Sequence, residues 1–168
     1  MTETLDMKDI KIPDGILHDQ QLEFVEFNKA EGKLVLNLKT HLFSDYVGNE
    51  FCEKYKDYSK CSMICDLAVD DYFDCFNYVV FETIQKENIF KSKILPIAEF
   101  EYIVNEEIKK QNLLWNHTNW TYVDTYINPN TNSAIINLSG CFLKGKYRKF
   151  HACNLNIRVK TISWNWEL

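Results

Sequence analysis

The stretch KYRKFHACNLNIRVKTISWNWEL, residues 146–168, decides the fold because apolar and polar residues alternate along most of it. Its apolar side chains occupy odd positions from Cys153 to Val159 and even positions from Ile162 to Leu168. Alternation with a period of two is typical of a strand with one buried face. A regular strand cannot move its apolar residues to the other face without an extra residue. We therefore predict a long strand with a bulge or bend near Lys160 and Thr161.

Further strands precede this one along the chain. The runs WTYVDTYI and SAIINLSGCF flank NPNTN, a strong turn signal, and a KGK turn then leads into the final strand. Residues 61–84 are apolar on both faces, which favours strands buried on both sides. The acidic step VDDYFD divides them into SMICDLAV and CFNYVVFETI.

The first third of the chain predicts a β-hairpin. In ILHDQQLEFVEFN, Leu22 and Phe24 share one face in a regular strand, and Val25 and Phe27 share the other. The turn KAEGK separates this run from KLVLNLKTHLF, in which leucines alternate with polar residues. Two alternating runs around a turn that contains glycine indicate a hairpin.

Two segments have helical periodicity. PIAEFEYIVNEEIKKQN places Pro96 at a first helical position, and its apolar residues follow a 3.6-residue period. A shorter helix is predicted near residues 44–60, started by Gly48 and Asn49, because Val47, Phe51 and Tyr55 recur every four residues.

Together these elements predict a mostly β (α+β) fold. We expect an antiparallel sandwich or strongly curved sheet of about seven strands with one or two helices. The length of 168 residues suits a single domain covering residues 1–168, and residues 1–15 are expected to be a loose lead-in.

Composition predicts a soluble cytoplasmic protein. There is no apolar run of the length that crosses a membrane, and the first residues lack the apolar segment of a secretory signal. The six cysteines are therefore expected to be reduced and metal-free. A zinc site would use Cys52, Cys61, Cys65 and Cys75, but their spacing lacks the usual paired knuckles. We expect buried small hydrophobic side chains instead.

No catalytic or nucleotide-binding motif occurs in the sequence. The adjacent His18 and Asp19 resemble a metal-ligand pair, but the further ligands of such a site are missing. Cys61, Cys65 or Cys153 could act as a nucleophile beside a distant histidine, although no local signature supports this. We therefore expect a protein that is not an enzyme and that has no cofactor.

Charge is unevenly distributed along the chain, whose net charge is −5. Nine acids and three bases between Asp45 and Glu82 give that segment −6, whereas six bases and one acid after residue 140 give +5. An acidic face would attract a basic partner and repel nucleic acid. The predicted partner-binding residues are Glu50, Glu53, Asp66, Asp70, Asp71, Tyr72 and Asp74. Alternatively, these charges are solvated or neutralised by neighbouring strands.

The segment Leu17-His18-Asp19-Gln20-Gln21-Leu22, followed by the alternating hairpin, resembles the start of some immunity proteins of bacterial polymorphic toxin systems. Those proteins are small, usually acidic, cytoplasmic binders that neutralise a cognate toxin. The resemblance covers about the first 40 residues and otherwise the general character of the chain, including a terminal sheet with Trp164 and Trp166. It implies a binding function but no individual binding residue.

The leading hypothesis is therefore a non-enzymatic protein-binding module, an immunity protein whose basic partner is a toxin, with no nucleic-acid or membrane partner. One alternative is a small-molecule-binding β-sandwich or barrel, because 24 aromatic residues could line an interior cavity. A second alternative is a hydrolase that uses a cysteine or an acidic pair. The oligomeric state is left open.

Overall fold

A computed structural model describes residues 2–6, 20–39, 50–85, 88–111, 118–128, 133–144 and 149–168. Within them the chain forms nine strands and three helices. The elements, in chain order, are β1 (Thr2–Asp6), β2 (Gln20–Asn28), β3 (Lys33–Lys39), α1 (Glu50–Tyr55), β4 (Lys60–Leu67), α2 (Phe73–Phe76), β5 (Tyr78–Gln85), β6 (Asn88–Pro96), α3 (Ile97–Gln111), β7 (Thr118–Asn128), β8 (Ser133–Lys144) and β9 (Lys149–Glu167).

Strand β9 joins the rest of the sheet together. One of its edges pairs first with β5 and then with β4, and the other pairs first with β8 and then with β1. Opposite β4, Val159 faces Leu67 and Thr161 faces the adjacent Asp66, so Lys160 is an extra residue. The predicted bulge is therefore confirmed. It allows Val159 and Ile162 both to be buried, although they are three residues apart.

All strand pairings are antiparallel, and the sheet curls strongly into a half-barrel. Strands follow the order β4-β3-β2-β7-β8-β9-β5-β6, and β4 also pairs with β9. Apolar side chains from alternate positions of β3, β4, β8 and β9 fill the concave side and form one buried core. The prediction of a mostly β fold with a strongly curved antiparallel sheet is confirmed, and the strands outnumber the seven expected.

The β2–β3 hairpin is confirmed, but β2 contains a bulge that the sequence pattern concealed. Leu22 pairs with Leu38 and Phe24 with Asn37, which leaves Glu23 as the extra residue. Leu22 and Val25 are consequently both buried, and Phe24 is exposed. The expectation that Leu22 and Phe24 share a face was therefore wrong, because the bulge reverses the alternation between them.

Helix α3 is confirmed with small differences in its bounds. Its side chains at Ile97, Phe100 and Val104 are buried, as the 3.6-residue period predicted. Pro96 ends β6 instead of beginning the helix. The short helix predicted near residues 44–60 is α1, and the residues proposed to start it, Gly48 and Asn49, lie outside the described residues.

Helix α3 also closes an open edge of β2, which pairs with β7 only at Gln20 and Gln21. The Asn105 side chain accepts the Val25 N–H at 2.9 Å and donates to the Val25 carbonyl at 2.7 Å. The Glu101 carboxylate accepts the Phe27 N–H at 3.1 Å. One helix face thus satisfies backbone groups that a neighbouring strand would otherwise pair.

Three other elements differ from the sequence-based expectation. Thr2–Asp6 form β1, within the stretch expected to be a loose lead-in, and residues 7–15 of that stretch lie outside the described residues. Residues Cys75 and Phe76 belong to α2, so the strand predicted there begins only at Tyr78. Strand β6 was not predicted.

The turns predicted at NPNTN and KGK connect paired strands, but residues 129–132 and 145–148 lie outside the described residues.

Candidate functional site

The structure divides the predicted acidic surface into two parts. Five of the predicted residues lie between the end of β4 and α2: Asp66, Asp70, Asp71, Tyr72 and Asp74. Glu50 and Glu53 lie on α1, where Tyr55 stacks on Trp166 at 4.3 Å between ring centroids. Trp166 pairs with Cys61 at the opposite end of β4. The length of β4 therefore separates the two groups by about 20 Å, at roughly 3.3 Å per residue.

The segment Ala68–Tyr72, which we name the acidic loop, projects an aromatic and an aliphatic side chain into solvent. Tyr72 is 64% exposed and Val69 is 50% exposed. The carboxylates of Asp70 and Asp71 lie between them in sequence and are also exposed. Asp70 accepts the Tyr72 N–H at 2.9 Å, which fixes the turn in the manner of aspartate-initiated turns. The loop therefore combines exposed apolar surface with negative charge.

Arg158 of β9 anchors this loop from beneath. Its guanidinium donates to the Asp70 carboxylate and stacks 4.8 Å from the centre of the Phe76 ring. The Arg158 side chain is only 10% exposed, whereas that of Asp70 is 46% exposed. The hydrogen bond from Arg158 holds the pKa of the Asp70 carboxyl below its ordinary value, and the Tyr72 N–H acts in the same direction. Asp70 is therefore ionised at neutral pH, and its carboxylate already forms an ion pair with Arg158.

Asn77, which is fully buried, forms a second attachment between the same segments. Its side-chain oxygen accepts the Arg158 N–H at 2.9 Å, and its side-chain nitrogen donates to the Phe73 carbonyl at 2.8 Å. The Ala68 N–H donates to the Arg158 carbonyl at 2.9 Å. Both backbone groups of Arg158 are thus bonded to the chain that enters and leaves the acidic loop.

A third attachment joins α2 to the β2–β3 turn. The Lys29 ammonium lies 3.0 Å from the Asp74 carboxylate and 5.1 Å from the centre of the Phe73 ring. Phe73 stacks on Phe27 at 6.2 Å. Gly32 has a φ of +62°, and its carbonyl accepts the Leu67 N–H at 2.6 Å. A side chain at this position would meet Val69, so the glycine is required both by its backbone conformation and by the close approach of the loop.

The local acidity is partly compensated, as the alternative interpretation of the charge pattern expected. Asp70 is paired with Arg158, Asp74 with Lys29, and Asp66 accepts the Thr161 hydroxyl. Lys160 at the β9 bulge also stabilises ionised Asp70. Within the described part of the chain, Asp71 has neither an ion pair nor a hydrogen bond. Asp71 is thus the carboxylate most available to a partner.

The side chains that compensate this charge were missed by the sequence analysis. Arg158 belongs to the basic segment recognised near the C-terminus, 88 residues from Asp70. Lys29 comes from the hairpin turn, 45 residues from Asp74. Only the sheet topology brings these groups to the acidic loop, and opposite charges at such separations have no local signature.

Metal and nucleophile sites find no support among the described residues. They contain no group of three or more His, Cys, Asp or Glu that could hold a metal ion. Burial raises the pKa of the Cys61, Cys65 and Cys153 thiols, which opposes their use as nucleophiles. Cys75 is exposed, so the expectation of a buried side chain was wrong there. The side chains of Cys52, Cys141 and His151, and the predicted pair His18 and Asp19, lie outside what is described.

Aromatic side chains occupy the interior near α1. Trp164 and Trp166 stack at 6.5 Å, Tyr55 lies on the second indole, and all three are buried. Tyr58 packs against the same cluster from its edge, at 6.3 Å from Trp166. These residues fill the core at this end of the sheet. The other role considered for the aromatic residues was to line an interior cavity.

Comparisons with protein-family models, curated proteins and solved structures find no significant match for this chain. No helix among the described residues is both long enough and apolar enough to cross a membrane.

Proposed function

We propose that this protein is a non-enzymatic binding protein that engages a basic protein partner through the acidic loop. The observation that carries the proposal is the projection of Tyr72 and Val69 from a loop whose backbone is anchored by buried Arg158. Tyrosine is enriched among the residues that dominate binding energies at protein interfaces. An exposed tyrosine beside carboxylates is therefore suited to contact a cationic surface.

Anchoring of the loop lowers the entropic cost of binding. A mobile loop must be ordered when its partner arrives, and that ordering reduces the affinity. Here the Asp70 carboxylate, the Asn77 side chain and the Ala68 N–H each bond to Arg158. The loop consequently presents Tyr72 and Val69 in a fixed arrangement before any partner binds.

The charge of the loop favours a basic partner. Asp71 is exposed, and the Asp70 carboxylate keeps about half of its surface accessible despite its ion pair. Opposite charge on a partner accelerates encounter, and salt weakens this effect within a Debye length of about 8 Å. We expect the contribution of charge to be moderate, because Arg158, Lys29 and Lys160 offset part of it.

Among acidic binding proteins, we propose the class of toxin-neutralising immunity proteins, acting in the cytoplasm. The sequence resemblance around Leu17–Leu22 supports this class, and the free thiols of Cys61, Cys65, Cys75 and Cys153 are compatible with a reducing compartment. The partner would then be a basic toxin whose active surface is covered by the acidic loop.

The test begins with capture of partners from a lysate of the source organism, followed by binding measurements with each purified candidate. The double variant Asp71→Lys/Tyr72→Ala should bind the basic partner about thirtyfold or more weakly, as expected when a dominant interface residue is lost. Glu53→Lys on α1 is the matched control, because it reverses another exposed carboxylate at the far end of β4. Equal binding by both variants and the wild type would refute the proposal.

A further inference from the structure

In the part of the chain that the structure describes, strand β6 ends the sheet: it pairs with β5 alone, and its other edge is open. Four consecutive residues of this strand, Lys91, Ser92, Lys93 and Ile94, are all exposed, although neighbouring residues of a strand point to opposite faces. Both faces of β6 are therefore accessible to solvent in this segment. A strand in this position presents unpaired backbone groups to which another strand can add.

The direction of those backbone groups follows from the bonds of Arg158. Its N–H donates to Asn77 and its carbonyl accepts from Ala68, so both groups point to the edge of β9 that carries β4 and β5. Every second residue of a strand directs its backbone groups to the same edge. Asn156 and Asn154 therefore point toward β5, where their register partners are Tyr78 and Val80.

The same rule carries across β5 to β6. Tyr78 and Val80, the residues opposite Asn156 and Asn154, direct their backbone groups toward β9. The next residue, Phe81, therefore directs its groups toward β6. Phe81 pairs with Lys93, which must point back toward β5. Ser92 and Ile94, on either side of Lys93, consequently direct their N–H and carbonyl groups outward to the open edge.

Pro96 and the bulge in β6 limit the length of this edge. Pro96 is two residues beyond Ile94, so its ring nitrogen lies on the outward side, where the missing N–H removes no bond to β5. At the other end, Thr83 pairs with Lys91 and the adjacent Ile84 pairs with Ile89, which leaves Phe90 as an extra residue. The open run is therefore short, with outward groups centred on Ser92 and Ile94.

We propose that the β6 edge binds an extended acidic peptide segment of a partner protein as an added strand. Lys91 and Lys93 project from one face of β6, about 7 Å apart, and both are exposed. On the other face Ile94 is 68% exposed and offers apolar contact area. The peptide that fits has acidic side chains on its lysine-facing side and aliphatic side chains on the other, and backbone bonds supply affinity.

A second copy of this chain fits the same edge poorly. An antiparallel pairing of two copies that sets Ser92 opposite Ser92 places Lys91 opposite Lys93, and one that sets Ser92 opposite Ile94 places Lys93 opposite Lys93. Setting Ile94 opposite Ile94 instead places Ser92 opposite Pro96, which has no N–H to donate. Like charges directly opposite each other in a sheet are destabilising. The lysines thus disfavour self-association and favour an acidic segment.

The probe for this proposal is a synthetic peptide of about seven residues, a usual strand length, with alternating glutamate and valine. Its control carries lysine in place of each glutamate. Binding is measured by fluorescence anisotropy at low salt, and hydrogen exchange of individual amides is followed by NMR with each peptide. The glutamate peptide should bind, and it should slow exchange of the Ser92 and Ile94 amides selectively. The lysine peptide should do neither.

Three variants separate backbone pairing from other modes of binding. Ile94→Pro removes one outward N–H, at a position where an edge strand tolerates proline, and should weaken binding about tenfold. Ile94→Thr keeps that N–H and should bind more tightly than Ile94→Pro. The double variant Lys91→Glu/Lys93→Glu should reverse the preference and bind the lysine peptide.

The proposal fails if the glutamate peptide does not bind, or if it binds without protecting the Ser92 and Ile94 amides. Protection of these amides at high protein concentration without peptide would show self-pairing instead and would also overturn it. The exchange measurement on the wild-type protein decides the matter even if Ile94→Pro does not fold. Asp71→Lys/Tyr72→Ala should leave peptide binding unchanged, so failure here is distinguishable from failure of the acidic loop.

Discussion

Asn77 shows how one buried amide can connect two distant parts of the chain. Its side-chain oxygen accepts the N–H of Arg158 on β9, 81 residues away, and its side-chain nitrogen donates to the Phe73 carbonyl of α2, directly after the acidic loop. We expect Asn77→Ala to lower the free energy of unfolding by about 2 kcal/mol, because the buried Arg158 N–H loses its acceptor, whereas the Phe73 carbonyl keeps the backbone N–H of residue 77. Urea denaturation measures this change.

The control is Asn28→Ala, at an exposed position where the side chain accepts one N–H from Glu31. We expect a loss below about 1 kcal/mol there, since water can replace the missing oxygen. Similar losses in the two variants would contradict the structural role assigned to Asn77.

Asp70 makes a pH-dependent contribution with a definite direction. Its pKa in the folded protein lies below the ordinary value of 3.8, so its ion pair with Arg158 is complete above that value. The stability it contributes is lost as the pH falls through the lower, folded pKa. Urea midpoints of the wild type and Asp70→Asn should therefore differ by a constant amount from pH 7 to about pH 5 and converge in stronger acid. A difference already lost near pH 5 would contradict the lowered pKa.

At the scale of elements, two bulges with similar consequences differed in how well the sequence predicted them. In β9 the apolar phase persists for several residues on each side of Lys160, so the change of phase is visible. In β2 it occurs within a short strand, and apolar but exposed Phe24 gives the appearance of a second regular face. A phase change is readable only where enough residues on both sides establish the pattern.

For helix α3, the sequence predicted the element but not the strand against which it packs. Its apolar period predicted the helix, but the docking of Asn105 and Glu101 against β2 was not predictable, because polar helix residues usually face water. We expect Asn105→Ala to increase the hydrogen-exchange rate of the Val25 amide at least tenfold, since that N–H would lose its acceptor. The Phe27 amide should keep its protection through Glu101. Equal acceleration of both amides would indicate that the whole helix had detached.

At the scale of the molecule, charge was the part of the candidate site that the sequence predicted in outline. The acidic segment does contain the acidic loop, and Asp70, Asp71, Tyr72 and Asp74 are all exposed. The sequence could not show that the acidic residues from Glu50 to Asp74 form two separate groups. Strand β4 lies between the two groups in the chain and holds them at opposite ends of its length. The anchoring by Arg158 depends on topology alone.

This anchoring changes what charge reversal should do to stability. On sequence alone, replacing Asp70, Asp71 and Asp74 together with lysine should leave the melting temperature nearly unchanged. The ion pairs with Arg158 and Lys29 instead predict that the triple variant melts several degrees lower, because a new cation then faces each of two existing cations. Asp71→Lys alone should melt within about one degree of the wild type, as isolated surface charges do. Thermal unfolding followed by circular dichroism compares the two.

The many pairings of β9 also have a consequence for the order of folding. The hairpins β2–β3, β5–β6, β7–β8 and β8–β9 can each form from neighbouring residues, whereas β9 joins β1, β4 and β5 across long stretches of chain. Closing such long loops slows the search for the native topology. Until β9 pairs with β4 and β5, the facing edges of these two strands are unpaired in the same intermediate, which makes that species prone to aggregate. Refolding yield should therefore fall steeply as protein concentration rises, even though the native state hides these edges.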